Sequence, residues 1–344
     1  MIKKLLIISV HPVLEHDERS LFQEMGHQCF SLGFFSNFDG RFDASLRVPF
    51  PESEFTHNCR TTFLETNCSI AYNESCSYRL TYEFVSLFDA IIIHHNYSFI
   101  EVNWDVIGHL PVIWRTIGQE LSTPEDRLSP YRKKGLYIVR WSSEERKILR
   151  YIGEDAIIHA AKRPTDFCQW VGGGGIVTFN NNFTARRSSL SFDFFESVAA
   201  RVPISLYGLN NSDVAQWKGL LSYSEQLKVL SLASAAFVTG TWPSPYTLGF
   251  IEAWMAGAPV VHVGQQIWGR GDDQCLLEAP NLIENHKSGF VVNSVEEAVS
   301  VLNELGTNLN LSTQISLEGR RSAEHFFGWE RAKSEWSTFF SQIF

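Results

Sequence analysis

The strongest constraint on this chain is a rhythm. Short, predominantly apolar runs alternate with stretches of helical character, and the pattern occurs twice. The first series is Leu5–Val10, Cys29–Leu32, Ala90–Ile93, Pro111–Trp114, Tyr137–Val139 and Ala156–Ile158; the second is Ile176–Phe179, Ile204–Tyr207, Ala235–Thr239, Val260–Val263 and Phe290–Val292. Runs so rich in apolar residues suit strands buried on both faces, as in a parallel sheet sandwiched by helices. Helical stretches between them, such as Asp17–Met25, Leu190–Ala200, Ser224–Ser231 and Phe250–Met255, turn the runs into βα units. The expected fold is α/β, with two Rossmann-like domains facing a cleft, because ligands of such sheets bind outside the carboxyl ends of the strands.

The four glycines Gly172–Gly175 separate the two series. A phosphate-binding glycine loop follows its strand, whereas these precede Ile176–Phe179, and a glycine run seldom lies inside an element. They are therefore read as an interdomain linker. The expected domains are 1–171 and 172–325, followed by a terminal stretch, 326–344. The polar stretch 36–80, carrying Cys59, Cys68 and Cys76, matches no clear element and is expected to run over the surface.

Composition removes several classes. With 44% hydrophobic and 19% charged residues, the chain is too apolar for a disordered protein. Lys plus Arg total 29 against 38 Asp plus Glu, a net charge of −9, so a broad basic coat is excluded and a DNA acceptor is not expected. Lys3-Lys4 before Leu5–Val10 looks like the start of a signal peptide, but the run stops at His11-Pro12 without a small-residue cleavage site, which favours a first strand. No run approaches the roughly 18 apolar residues of a membrane span. The six cysteines form no C-x-x-C pair, so free thiols of a cytoplasmic protein are expected rather than a zinc site. Neither His11 nor His94-His95 has metal-ligand spacing, and Asp272-Asp273 lacks an Asp-x-Asp pattern, so no metal is expected.

The chemistry concentrates in Ser244-Pro-Tyr-Thr-Leu-Gly-Phe-Ile-Glu252-Ala-Trp-Met-Ala-Gly257-Ala-Pro259-Val-Val261. Turn residues open a helix bearing Glu252, Gly257 ends it, and a strand begins after Pro259. A helix N-terminus offers unpaired N–H groups and partial positive charge to a diphosphate. A carboxylate one turn in can accept both hydroxyl hydrogens of a ribose, or be a solvated residue on a capped surface helix.

This segment resembles the nucleotide-sugar motif of the family 4 retaining glycosyltransferases of the GT-B fold. In that motif a Glu is followed, after seven residues, by a second Glu that holds the ribose, and Glu252 matches the second. Ser244 stands where the first Glu contacts the donor sugar, and Tyr246, Thr247 and Leu248 complete the donor loop. Gly219-Leu-Leu-Ser222-Tyr-Ser-Glu-Gln-Leu is similar to the family's segment beside the nucleobase. Glu284-Asn-His-Lys-Ser-Gly289-Phe-Val-Val is similar to its later Gly-Phe strand, and Arg320-Arg321 through Phe340 to its closing helices, which implies that 326–344 is a C-terminal helix packing back on the first domain. Leu5–Val10 with Met25-Gly26-His27 is similar to its opening, although His11–Asp17 replaces the usual Gly-Gly loop.

The family's Arg and Lys after the first strand of the second domain neutralise the diphosphate. In the comparable Phe179-Asn-Asn-Asn-Phe-Thr-Ala-Arg186-Arg187, Asn181 with Arg186 or Asn182 with Arg187 keeps the spacing, with Asn in place of Arg. Arg187, then Arg186, is the expected phosphate ligand, a solvated Arg pair being the alternative. In the first domain Arg115, Thr116 and Gln119 follow a strand and either contact ligand or serve packing and surface ion pairs. His11, Glu15 and Asp17 also follow a strand and are candidates for the acceptor side.

The resemblance implies a glycosyltransferase that moves a sugar from a nucleoside diphosphate sugar, with a UDP-sugar expected, to a small-molecule, glycan or other hydroxyl acceptor. No cofactor or metal is implied, and retention is favoured. Arg187 and Glu252 are the expected catalytic-site residues, with His11 as a base if the reaction inverts. An epimerase or a silent nucleotide-sugar-binding protein are the rivals. Glu252→Ala is expected to raise donor KM with the fold intact.

Overall fold

The structure, a computed structural model, describes residues 2–33, 47–66, 68–71, 77–118, 120–268 and 275–344. It divides into two compact units: Met1–Ile117 with Leu121–Ala161 and Ala332–Phe344, and Gly118–Glu120 with Lys162–Arg331.

The first unit begins with β1 (Lys4–Ser9), α1 (Pro12–Glu24) and β2 (Gln28–Ser31), then α2 (Glu54–Glu65) and the hairpin β3 (Ser69–Ala71) and β4 (Ser77–Arg79). There follow α3 (Tyr82–Val85), β5 (Ala90–His94), α4 (Tyr97–Ile107), β6 (Val112–Arg115), α5 (Ser122–Arg132), β7 (Tyr137–Arg140) and β8 (Ala156–Ile157). The main sheet runs β2-β1-β5-β6-β7-β8 with every pairing parallel. Its strand order reverses between β1 and β5, both buried almost throughout, as the unbroken aliphatic runs require.

Two departures from expectation have clear causes. His11–Asp17 is not a loop after β1, because His11 caps α1 and Pro12 occupies its first turn, where a missing N–H does no harm. The stretch 36–80, where described, is not a surface excursion. Ser53 caps α2, which sends Cys59 and Phe63 into the core, and Asn103 of α4 binds the backbone of Tyr78 and Leu80 at 2.7 and 2.8 Å. Short apolar anchors in a polar stretch carry too little periodicity to be seen beforehand.

The second unit contains β9 (Ile176–Phe179), α6 (Phe192–Ala199), β10 (Ile204–Tyr207), α7 (Tyr223–Leu232), β11 (Ala235–Val238), α8 (Leu248–Met255) and β12 (Val260–Val263). It continues with α9 (Ala279–Leu282), β13 (Phe290–Val292), α10 (Val295–Thr307) and α11 (Leu309–Phe327). Its parallel sheet runs β10-β9-β11-β12-β13, reversing between β9 and β11. The unit starts at Lys162, ahead of the glycine run, so Gly172–Gly175 lies inside it and leads into β9. Gly172 and Gly173 take φ of 73° and 83°, and a Cβ on Gly174 would lie 2.5 Å from the Leu232 carbonyl oxygen. Left-handed backbone and close approach account for these three glycines.

The final helix, α12 (Trp329–Ile343), places Ala332 onward in the first unit. There Trp336 meets Phe22 edge-on at 5.0 Å, and Phe339 meets Tyr137 at 6.1 Å. Trp336 is almost wholly buried, and truncating such a residue costs about 3–5 kcal/mol.

Candidate functional site

In the second unit the loops after β9 and β11 leave neighbouring strands at the reversal point of the sheet. This is where open α/β sheets hold ligands. The two loops are tied together: Trp242 N–H donates to the Ser189 carbonyl at 2.8 Å. A Cβ on Gly249 would sit 3.9 Å from the Phe179 carbonyl oxygen, so α8 begins close to the end of β9. Thr247 caps α8, its hydroxyl accepting from Phe250 N–H at 3.1 Å, and Leu248 is the first helical residue. Tyr246 is buried edge-on to Phe327 at 5.0 Å. Ser244 is buried too, and its hydroxyl donates to the Tyr246 carbonyl at 3.2 Å.

Glu252 lies one turn into α8 with only 5% of its surface exposed. Its Oε1 receives Lys162 Nζ at 2.5 Å and its Oε2 receives Gln226 Nε2 at 2.6 Å. Lys162 is itself buried, fixed by its backbone N–H donating to the Phe327 carbonyl at 2.8 Å. Two donors from distant segments therefore fix the plane of the carboxylate before any ligand arrives. Neither Lys162 nor Gln226 stands out in the sequence. Lys162 is 90 positions from its partner and lies outside helix and strand, and Gln226 reads as an ordinary helical residue. The only prior hint was that a carboxylate on so apolar a helix needs a buried counter-charge.

The other expected donor-side residues are distributed unevenly. Asn181 Oδ1 accepts from Leu209 N–H at 2.8 Å and so stitches the loop after β9 to the one after β10. Ser222 caps α7 in a reciprocal box with Glu225. Arg187 is turned toward α6, pairing with Asp193 and with Glu196 at 3.4 Å while lying over Phe192. Arg186 is exposed, with no side-chain partner among the described residues. Solvent-exposed pairs such as those of Arg187 are worth at most about 1 kcal/mol, so a diphosphate can displace them.

In the first unit the expected acceptor-side residues are largely engaged. His11 Nδ1 accepts from Leu14 N–H at 3.4 Å as the cap of α1, and Asp17 pairs with Arg47 at 3.7 Å. Glu15 is fully buried and accepts the Ser31 hydroxyl. Arg115 is 1% exposed; its Nε donates to Glu18 Oε1 at 2.7 Å, and Glu18 Oε2 meets His94 Nε2 at 2.8 Å. Burial alone would raise the Glu18 carboxyl, but Arg115 and His94 hold it down at about 2. Thr116 donates to Glu145 at 2.9 Å. Gln119 and Asp272-Asp273 lie outside the described residues. Among the described residues no group of three or more His, Cys, Asp or Glu is arranged to hold a metal, and no helix is long and apolar enough to cross a membrane. Cys29, Cys59 and Cys275 are buried free thiols.

Sequence comparison finds no matching family model and no matching curated protein. Structure comparison finds full-length likenesses. HepE of Anabaena, solved with UDP-glucose, is similar over 99% of this chain and 100% of its own, with a TM-score of 0.66 at 10% identity. TarM of S. aureus matches over 99% of both chains, with a TM-score of 0.67 at 12% identity. The chain has the GT-B fold. Sucrose-phosphate synthase of Thermosynechococcus elongatus extends this GT-B likeness, again over 99% of both chains, with a TM-score of 0.65 at 14% identity.

Proposed function

We infer that this GT-B protein is a glycosyltransferase, moving a sugar from a nucleoside diphosphate sugar to an acceptor hydroxyl. The observation that carries the inference is Glu252, a buried carboxylate clamped by Lys162 and Gln226 one turn inside the capped N-terminus of α8, at the reversal point of a parallel sheet. The full-length likeness to HepE, solved with UDP-glucose, supports it.

Each side chain then has a task. Glu252 accepts the ribose hydroxyls. The N–H groups opening α8 receive the diphosphate, with Arg186 and Arg187 adding positive charge as the bond to the sugar breaks. Ser222 borders the nucleobase, Asn181 holds the loop in place, and Ser244, Tyr246 and Leu248 shape the sugar side. The transfer is metal-independent and retaining: the departing phosphate oxygen takes the acceptor proton. That route asks no base of the protein, which agrees with His11 serving as a helix cap and with Glu15 and Asp17 being engaged. A UDP-sugar is the donor, a small molecule or glycan the acceptor, and the cytoplasm the site of action.

The test is a mass-resolved screen of UDP-, GDP- and ADP-sugars, with and without candidate acceptors. Release of nucleoside diphosphate, and a preference for ribose over 2′-deoxyribose donors that Glu252→Gln abolishes, is expected. Sugar conversion without release would identify an epimerase. Tight binding without turnover would identify a binding protein. Either result overturns the inference.

A further inference from the structure

A cavity of about 500 Å³ opens in the first unit beyond the end of β2. Its lining includes Arg19, Phe50, His57 and Arg60, with Ser31 and Thr56. A volume of this order suits a ligand of small-molecule size. Arg19 projects from the buried face of α1 with only 5% of its surface exposed. Its guanidinium lies 4.0 Å over the Phe50 ring, which His16 contacts at 4.9 Å.

The group is unusual in what it lacks. Arg19 Nε is buried without an acceptor, and the rest of the guanidinium makes no hydrogen bond or ion pair with a described residue. The buried arginines of the first sheet reach carboxylates instead: Arg115 Nε donates to Glu18, although its Nη2 finds no partner, and Arg140 donates to Glu125. Burial lowers the pKa of Arg19, and the nearby Cys29 and Glu15 oppose this. The Glu15 carboxylate is occupied by the Ser31 hydroxyl rather than by Arg19. At the rim, His57 and Arg60 lie 3.6 and 3.7 Å from Glu52, all three substantially exposed. A buried cation with five donors and no acceptor is costly to hold in place unless something anionic arrives to meet it.

We propose that this cavity binds an anionic group, a phosphate or a carboxylate, of the sugar acceptor, with Arg19 as its principal ligand and Arg60 at the rim. The assignment of the ligand as acceptor rests on the glycosyltransferase inference; the anion site itself does not. It narrows the acceptor class from any hydroxyl compound to one that carries a negative charge.

The test uses the whole chain and two probes, inorganic phosphate and malonate, titrated at constant ionic strength. Calorimetry and thermal melting are followed for the wild type, Arg19→Met and Arg60→Gln. In the wild type one or both probes bind and raise Tm; phosphate alone, or malonate alone, identifies the group. Arg19→Met weakens that binding at least tenfold, about 1.4 kcal/mol. Its ligand-free Tm is no lower than the wild type's, because an uncompensated buried charge has been removed. Arg60→Gln, at an exposed position, leaves folding unaffected and weakens binding about threefold, in line with a charge-assisted hydrogen bond at a wet rim. Equal binding by wild type and Arg19→Met, or no binding of either probe by the wild type, overturns the proposal. So does a markedly lower ligand-free Tm for Arg19→Met, which would make Arg19 a structural cation. Nucleoside diphosphates are titrated in parallel: their failure to bind any variant, with the anion site intact, sinks the transferase inference alone.

Discussion

Replacing Lys162 with Met tests the clamp on Glu252 most directly. The two groups meet at 2.5 Å, and the side chains are 3% and 6% exposed. Removing one partner of a buried ion pair strands the other charge and costs about 3–5 kcal/mol. At roughly 2–4 °C per kcal/mol for a domain of this size, Tm should fall by about 6–20 °C. Glu252→Gln alone should cost a similar amount, since the buried Lys162 ammonium then loses the carboxylate it meets. The double variant Lys162→Met/Glu252→Gln leaves no charge unpaired, and Gln226 can still donate to the new amide oxygen. Its loss should be well below the sum of the single losses, with a coupling energy of about 2–3 kcal/mol. Calorimetric melting combined with urea unfolding measures all three. Single losses that simply add would refute the clamp, and Glu252 would then be an isolated carboxylate whose partners contribute nothing.

Two further outcomes concern pH. Burial lowers His262 from 6.5 to about 4, the Val263 carbonyl opposing this. Between those values the unfolded chain binds a proton that the folded His262 refuses. Stability therefore falls as pH drops from 6.5 to 4, by an amount on the order of 3 kcal/mol, and His262→Phe should flatten that slope in urea titrations. For Glu18 the folded pKa lies below the unfolded one, so its contribution is fully present above about pH 4.5 and is lost as pH falls toward 2. Glu18→Gln should remove the pH dependence in that lower window, and an unchanged acid-unfolding profile would show that the Arg115–Glu18–His94 network does not hold the proton off.

Much of the scaffold was legible because both-face burial leaves an unmistakable mark. Ala90–Ile93 has no polar position at all and Val260–Val263 only His262, and each is a central strand. The Glu252 helix was equally plain, with Thr247 before it and Gly257, at φ 77°, after it. What stayed hidden depends on side chains meeting across long sequence separations. His11 looked like a residue facing ligand, but Pro12 makes it a cap. Arg115 has the same appearance in sequence whether it faces a substrate or a buried Glu18. Glu252→Ala, expected from the sequence to leave the fold intact, also removes the carboxylate that Lys162 Nζ meets, a contact no sequence pattern announces. The glycine run read as an interdomain linker, whereas it lies within the second unit, where its left-handed backbone angles and close approach to Leu232 call for glycine.

The place of Ala332–Phe344 in the first unit has a bearing on biosynthesis. Trp336, Phe339 and Phe340 cover Phe22, His27 and Tyr137, yet they follow the entire second unit in the chain. As the polypeptide leaves the ribosome, the amino-terminal sheet can pair its strands early, but an apolar patch on α1 stays uncovered until translation has passed Phe340. Folding in simple N-to-C order is thus denied to this protein. A nascent chain stalled inside the second unit would present that patch to chaperones, so ribosome stalling near residue 330 should leave Phe22 accessible to them, whereas release of the full chain should not.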